Sequence, residues 1–121
     1  MTTMPPKPRY RRGDVVLVLF PNSDLRTAKP RPALVVQADN LQTGLTQVIV
    51  AMITSRLHRA PHPSRVLIRR SSVDGQRSGL LADSVVMTDN LATILDVAVD
   101  RTIGSISMDA IDGAIRTTLG L

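Results

Sequence analysis

An arginine locked between two prolines is the first place in this chain where residue type and spacing point to chemistry. In Lys29-Pro30-Arg31-Pro32-Ala33-Leu34-Val35-Val36, each proline fixes its own φ and biases the residue before it toward extended geometry. The backbone at Arg31 is therefore stiff, and its guanidinium leaves the mouth of an apolar strand in a defined direction. Such a group suits a phosphate, which it can hold by paired hydrogen bonds. A surface salt bridge at a strand end is the other use of the same residue. A guanidinium keeps its proton in proteins, so Arg31 can stabilise developing charge but cannot act as a base.

A second basic set lies between Thr54 and Ser64, where Arg56, His58, Arg59 and His62 cluster. The imidazoles titrate in a useful range, but Pro61 and Pro63 break the helix that would align them as a metal pair. The segment reads as a phosphate-contacting loop or as a solvated basic loop. No metal or cofactor is expected. Cysteine is absent, which removes disulfide and thiolate–zinc schemes and makes a reducing cytoplasm the expected compartment.

Charge supports a polyanionic partner. Residues 1–70 hold 12 Lys and Arg against 3 Asp, a net +9, whereas residues 71–121 hold 3 Arg against 7 Asp, a net −4. RNA or DNA is the first candidate for such a basic half. Aromatics are limited to Tyr10 and Phe20, too few for the stacking platforms of RRM-type or single-strand-binding barrels. No apolar window is long enough for a membrane span, and the basic N-terminus does not read as a secretory signal.

The elements that must position these residues are mainly strands. Residues 1–12, with three prolines and four basic side chains, read as a flexible basic arm outside a single domain. Asp14 to Phe20 is apolar on both alternating faces and reads as a central strand. Pro21 to Asp24 is a turn, and Leu25 to Pro30 a short basic loop with Arg26 and Lys29. Pro32–Gln37 and Thr46–Ile53 are the second and third strands, and Arg65–Arg69 is an edge strand. Ser71 to Ser78 is turn-like. Ser84–Thr88 is a fifth strand, and Ala92–Leu95 and Thr102–Ile106 add short ones. A final helix begins at Ser107 as N-cap, with Met108, Ile111, Ile115 and Leu119 at helical spacing. Short loops between antiparallel strands predict a small curled barrel.

Taken in order, five blocks resemble the MazF/PemK toxins, the endoribonucleases of type II toxin–antitoxin pairs. They are Gly13-Asp14-Val15-Val16-Leu17-Val18, Arg31-Pro32-Ala33-Leu34-Val35-Val36, Ile53-Thr54-Ser55, Gly79-Leu80 with Asp83-Ser84-Val85-Val86, and Ile103-Gly104. The resemblance implies a mainly β, SH3-like barrel of antiparallel strands with a C-terminal helix, the CcdB/MazF-like toxin fold, assembled as a homodimer. It implies metal-independent cleavage of single-stranded RNA by 2′-hydroxyl attack, leaving a cyclic phosphate and a 5′-hydroxyl. By position, the family's essential arginine falls on Arg31, its threonine on Thr54, and an aspartate used by some members on Asp89. Thr54 then donates to the phosphate oxygens, the alternative being a hydroxyl bonded to its own backbone. Asp89 could accept the proton only if its pKa were raised, the alternative being an Asx turn with Asn90. Arg26, Lys29, Ser55, Arg56, His58, Arg59 and His62 are the expected RNA contacts. The chain has Met87 where some members carry arginine, and Asn22-Ser23-Asp24-Leu25-Arg26 in place of a longer Gly-x-Glu-Gln loop. An antitoxin with a disordered, acidic segment is the implied partner. A gyrase-binding, CcdB-like toxin and a barrel that binds nucleic acid without cutting it are the competing readings.

Overall fold

The computed structural model describes residues 9–21, 24 and 26–121. β-Branched and apolar runs give β1 (Asp14–Pro21), β2 (Ala28–Val35), β3 (Gln47–Thr54), β4 (Arg65–Ile68), β5 (Ser84–Leu95) and β6 (Val99–Ser105). These form one antiparallel six-stranded sheet in the order β4-β5-β3-β2-β1-β6. A short helix, α1 (Val73–Arg77), and the C-terminal α2 (Asp109–Leu119) complete it.

Both faces of the sheet are buried at its centre, which is why β1 is apolar at successive positions. Val15, Leu34, Ala51, Ile53 and Val86 share one cluster with Ile111 of α2. The alternating residues Val16, Val18, Ala33, Val35, Val48 and Val50 pack on the other face with Val99, Tyr10 and Ala92. No residue of either helix enters this second cluster, yet it joins Val99 of β6 to Ala92 of β5, strands that lie far apart in the sheet order. Its burial therefore comes from the sheet curling on itself, and the fold is barrel-like. Among the described residues no helix is long and apolar enough to cross a membrane.

Several boundaries differ from the sequence expectation for physical reasons. β2 begins at Ala28 instead of Pro32 and ends at Val35. Between Ala28 and Pro32 it pairs with β1 alone, because β3 joins only at Ala33↔Met52. A strand with one neighbour tolerates residues without an N–H, so Pro30 and Pro32 fit there. The two short segments expected at Ser84–Thr88 and Ala92–Leu95 are one strand, β5, interrupted by a bulge. Met52 pairs with Met87 and Ala51 with Leu91, which leaves Thr88, Asp89 and Asn90 without β3 partners. Thr88 pins the bulge, donating its N–H and its hydroxyl to the Ser64 carbonyl at 3.0 and 2.6 Å.

The polar stretch Ser71–Ser78 contains α1, opened by the Ser72 hydroxyl, which accepts the Gly75 N–H at 2.9 Å. Ser107 is not the cap of α2. Met108 holds that position without a side-chain cap, and the Ser107 N–H donates to Asp74 at 2.9 Å. Leu119 is exposed, and α2 rests on Ile111, Ile115 and Met108. Of the arm expected at residues 1–12, residues 1–8 lie outside the described residues. Arg9 to Arg12 are anchored: Arg9 donates to the Val99 carbonyl at 2.8 Å, Tyr10 to Asp96, and Arg12 to the Val36 carbonyl at 3.1 Å.

The glycines that helped to carry the family resemblance prove to be packing requirements. Gly79 sits at φ +74°, and a Cβ on it would lie 2.2 Å from the Ile103 carbonyl oxygen. A Cβ on Gly104 would lie 2.2 Å from the Arg77 carbonyl oxygen, so the segment after α1 can cross β6 only over bare backbone.

Candidate active site

The groove begins where β2 and β3 separate. Their pairing runs Val35↔Val50, Leu34↔Ala51, Ala33↔Met52 and then ends. Extended by two residues, the same register would set Arg31 opposite Thr54. Instead the strands diverge, and these residues form the two lips of a fork. Both line a single groove of about 490 Å³. Met52 and its cross-strand partner Met87 form the floor with Ala92. Arg56 and Arg59, from the loop after β3, and Asn90, from the β5 bulge, complete the rim.

Arg31 is exposed and forms no ion pair among the described residues. The strand-end salt bridge that the sequence allowed is therefore not made. Thr54 is half-buried, and its Oγ1 accepts the Arg56 N–H at 3.2 Å. The local backbone bond left open by the sequence is thus present, but it occupies only an oxygen lone pair. The hydroxyl proton stays available to a ligand oxygen.

Asp89 is placed differently. Arg65 donates Nη2–H to Oδ2 at 2.9 Å and Nε–H to Oδ1 at 3.4 Å. That hydrogen bonding and the Arg65 charge, with a smaller contribution from His62, hold the carboxyl below its ordinary range despite partial desolvation. A base for a sugar hydroxyl requires the reverse shift. Arg65 also donates Nη1–H to the Arg59 carbonyl at 3.2 Å, joining the bulge to the basic loop.

The other expected contacts divide. Arg56 and Arg59 face the groove, and Ser55 lies exposed between Thr54 and Arg56. His58 is exposed on the 3₁₀ turn Leu57–Arg59 and does not line the groove. His62 is occupied locally: its Nδ1 accepts the Ser64 N–H at 3.1 Å and lies 2.6 Å from the Ser64 hydroxyl. Arg26 and Lys29 lie outside the groove lining. The Arg26 N–H is held by Asp24 at 2.9 Å, and this bond with that from Thr27 lowers the Asp24 pKa. Lys29 alternates onto the same strand face as Arg31. Met52, Asn90 and Arg65 were not singled out from the sequence. Only the register of β3, β4 and β5, which no local spacing encodes, brings Met52 and Asn90 to the groove and sets Arg65 behind it, against Asp89 and the Arg59 carbonyl.

The molecule is thus a small, curled antiparallel barrel with a C-terminal helix, in which an arginine and a threonine line one open groove. The sequence profile of the PemK-like, MazF-like toxins of type II toxin–antitoxin systems matches residues 11–119, and the chain belongs to that family. It is 30% identical over 115 residues to Endoribonuclease EndoA of Bacillus subtilis (strain 168), covering 92% of this chain and 95% of that protein. The Mycobacterium tuberculosis toxin MazF-mt6 matches with a TM-score of 0.69 at 27% identity, over 89% of this chain and 97% of that one. A MazE–MazF structure from Deinococcus radiodurans matches with a TM-score of 0.71 at 17% identity, over 95% and 99% of the two chains, a likeness of fold.

Proposed function

We propose that this toxin is an endoribonuclease that cuts single-stranded RNA through the 2′-hydroxyl neighbouring the scissile phosphate. The observation that carries the reading is the placement of Arg31, free of any described carboxylate partner, and Thr54 on facing lips of one groove. The 2′-oxygen forms a bond to phosphorus as the P–O5′ bond breaks, leaving a 2′,3′-cyclic phosphate and a 5′-hydroxyl. The 2′-proton passes to solvent, and the departing 5′-oxygen takes one up. Arg31 holds the non-bridging oxygens by charge-assisted hydrogen bonds that strengthen as negative charge gathers on them. Thr54 donates its hydroxyl proton to the same oxygens. Asp89, ionised and tied to Arg65, orders the groove wall and takes no proton.

The relative named as an endoribonuclease, similar over nearly its whole length, supports the same activity. A solved structure described as an endoribonuclease with its cognate antitoxin matches with a TM-score of 0.69 at 22% identity. The partner we assign is an antitoxin whose acidic segment lies on Arg31, Arg56 and Arg59, and the working assembly is a homodimer in the cytoplasm. The test is a single 2′-deoxy substitution at the cut position of an otherwise cleaved RNA. The substituted strand stays intact on this reading, and cleavage there would identify water as the nucleophile. A folded chain that retains RNA in a salt-dependent manner without cutting it would leave only binding.

A further inference from the structure

Of the three arginines around the groove, Arg59 is held least like a phosphate contact. Arg31 and Arg56 are exposed, as befits side chains that follow a flexible backbone, whereas Arg59 is half-buried. Its Nη1 lies 3.7 Å from the Met87 sulfur, so the guanidinium leans on the apolar floor. Its own backbone is fixed on both sides, its N–H donating to the Arg56 carbonyl at 3.2 Å and its carbonyl accepting from Arg65 at 3.2 Å. Arg65 is in turn locked by Asp89 across the bulge. A cation oriented in this way is ready to form directed hydrogen bonds, with little ordering left to do on binding.

The surroundings determine what such a donor can meet. Met52 and Ala92, backed by the buried Met87, offer a thioether and methyl surface on which the face of a base can rest. The groove lining carries three guanidinium groups and no carboxylate, because Asp89 is turned to Arg65. Against those three guanidiniums the lining sets the Asn90 amide oxygen as a side-chain acceptor, so a carbonyl oxygen meets more donors there than an exocyclic amine meets acceptors. Arginine pairs with the O6 and N7 of guanine, and a carboxylate is what reads the amine of cytosine. We infer that Arg59 is a specificity-determining residue that reads a keto base, uracil or guanine, seated on the methionine floor beside the scissile phosphate. This rests on the groove taking RNA and reassigns Arg59 from backbone contact to base reading.

The experiment compares RNA oligonucleotides that differ only in the base at each position flanking the cut, with wild type, Arg59→Gln and Arg59→Lys. Cleavage is read as kcat/KM, and binding is read on the matching strands carrying 2′-deoxy at the cut. Wild type should favour uracil or guanine at one flanking position by roughly 5- to 150-fold, the discrimination of one good bidentate pair. Arg59→Gln should flatten that preference, lowering cleavage of the favoured strand more than that of the other three. The four strands of the series separate uracil from guanine. A uniform loss across all four bases, with a salt slope reduced by about 1, would make Arg59 a phosphate contact and overturn the inference. Melting of each variant excludes a folding defect. If wild type cuts nothing, the nuclease reading fails, and the binding series on uncleavable strands still decides the base preference.

Discussion

Two cavities of about 490 Å³ open on this molecule at different ends of β3, and they have little in common chemically. One is the fork between Arg31 and Thr54. The other lies under the β2–β3 loop, lined by Tyr10, Gln37, Asp39, Leu45 and Asp96 among others. In that second cavity several polar groups are committed to the protein itself. Tyr10 donates to Asp96, Asp39 accepts the Arg12 N–H at 2.9 Å, and the Gln37 amide oxygen accepts the Ile49 N–H at 3.1 Å. In the fork, Arg31 has no described partner, and the Thr54 hydroxyl keeps a proton to give. Size therefore identifies neither cavity. The fork is distinguished by three arginines and a threonine hydroxyl with no carboxylate on its lining, whereas the second cavity carries Asp39 and Asp96 and ties Tyr10 to one of them.

The sharpest way to break this contrast is Arg31→Ala. It removes an exposed guanidinium, so the melting temperature should hold while cleavage falls by roughly 10²–10³-fold, the loss of one transition-state donor. Full cleavage by the folded variant would show that the free cation in the fork is not the working one. Asp89→Asn is the intermediate case. It releases Arg65, loosens the wall that carries Arg59, and should lower kcat/KM by about 10- to 10²-fold, the scale of a misplaced positioning group.

The same residue has a signature in stability. The folded-state pKa of Asp89 is depressed, so its contribution is present above the unfolded carboxylate range and disappears as pH falls through the folded value. The difference in melting temperature between wild type and Asp89→Asn should shrink on acidification, and a gap unchanged down to strongly acid pH would contradict the ion pair. The smallest effect on catalysis belongs to the other cavity. Tyr10→Phe deletes the hydroxyl bonded to Asp96 and should cost about 1–3 kcal/mol, measured by denaturant melting, with cleavage untouched. Lost cleavage in a stably folded Tyr10→Phe chain would mean that the two cavities are coupled.

Much of the frame was legible in the residues. Val15 to Leu19 and Val48 to Ile53 are apolar at adjacent positions, runs that suit a strand covered on both faces, and only Leu19 and Ile49 near their margins are exposed. Arg31 stood out because two prolines flank it, and the same prolines concealed the start of β2. A proline is read as a strand breaker unless the missing neighbour on one side is known. The groove floor was hidden for a related reason. Met52, Met87 and Arg65 form one cross-strand row, and a row perpendicular to the chain leaves no trace in local spacing. The Asp89 environment was likewise out of reach, since its partner lies 24 residues away in sequence.

The looped-out triplet Thr88-Asp89-Asn90 has a consequence for how such a toxin can change. Thr88 and Asp89 are tied to Ser64 and Arg65, but Asn90 lines the groove and no residue of β3 is matched to it, so it can be substituted without sliding any strand against its neighbour. The rim chemistry is in effect uncoupled from the ladder, so new substrate preferences can be tried there while the apolar interior and the arginine–threonine lips stay as they are.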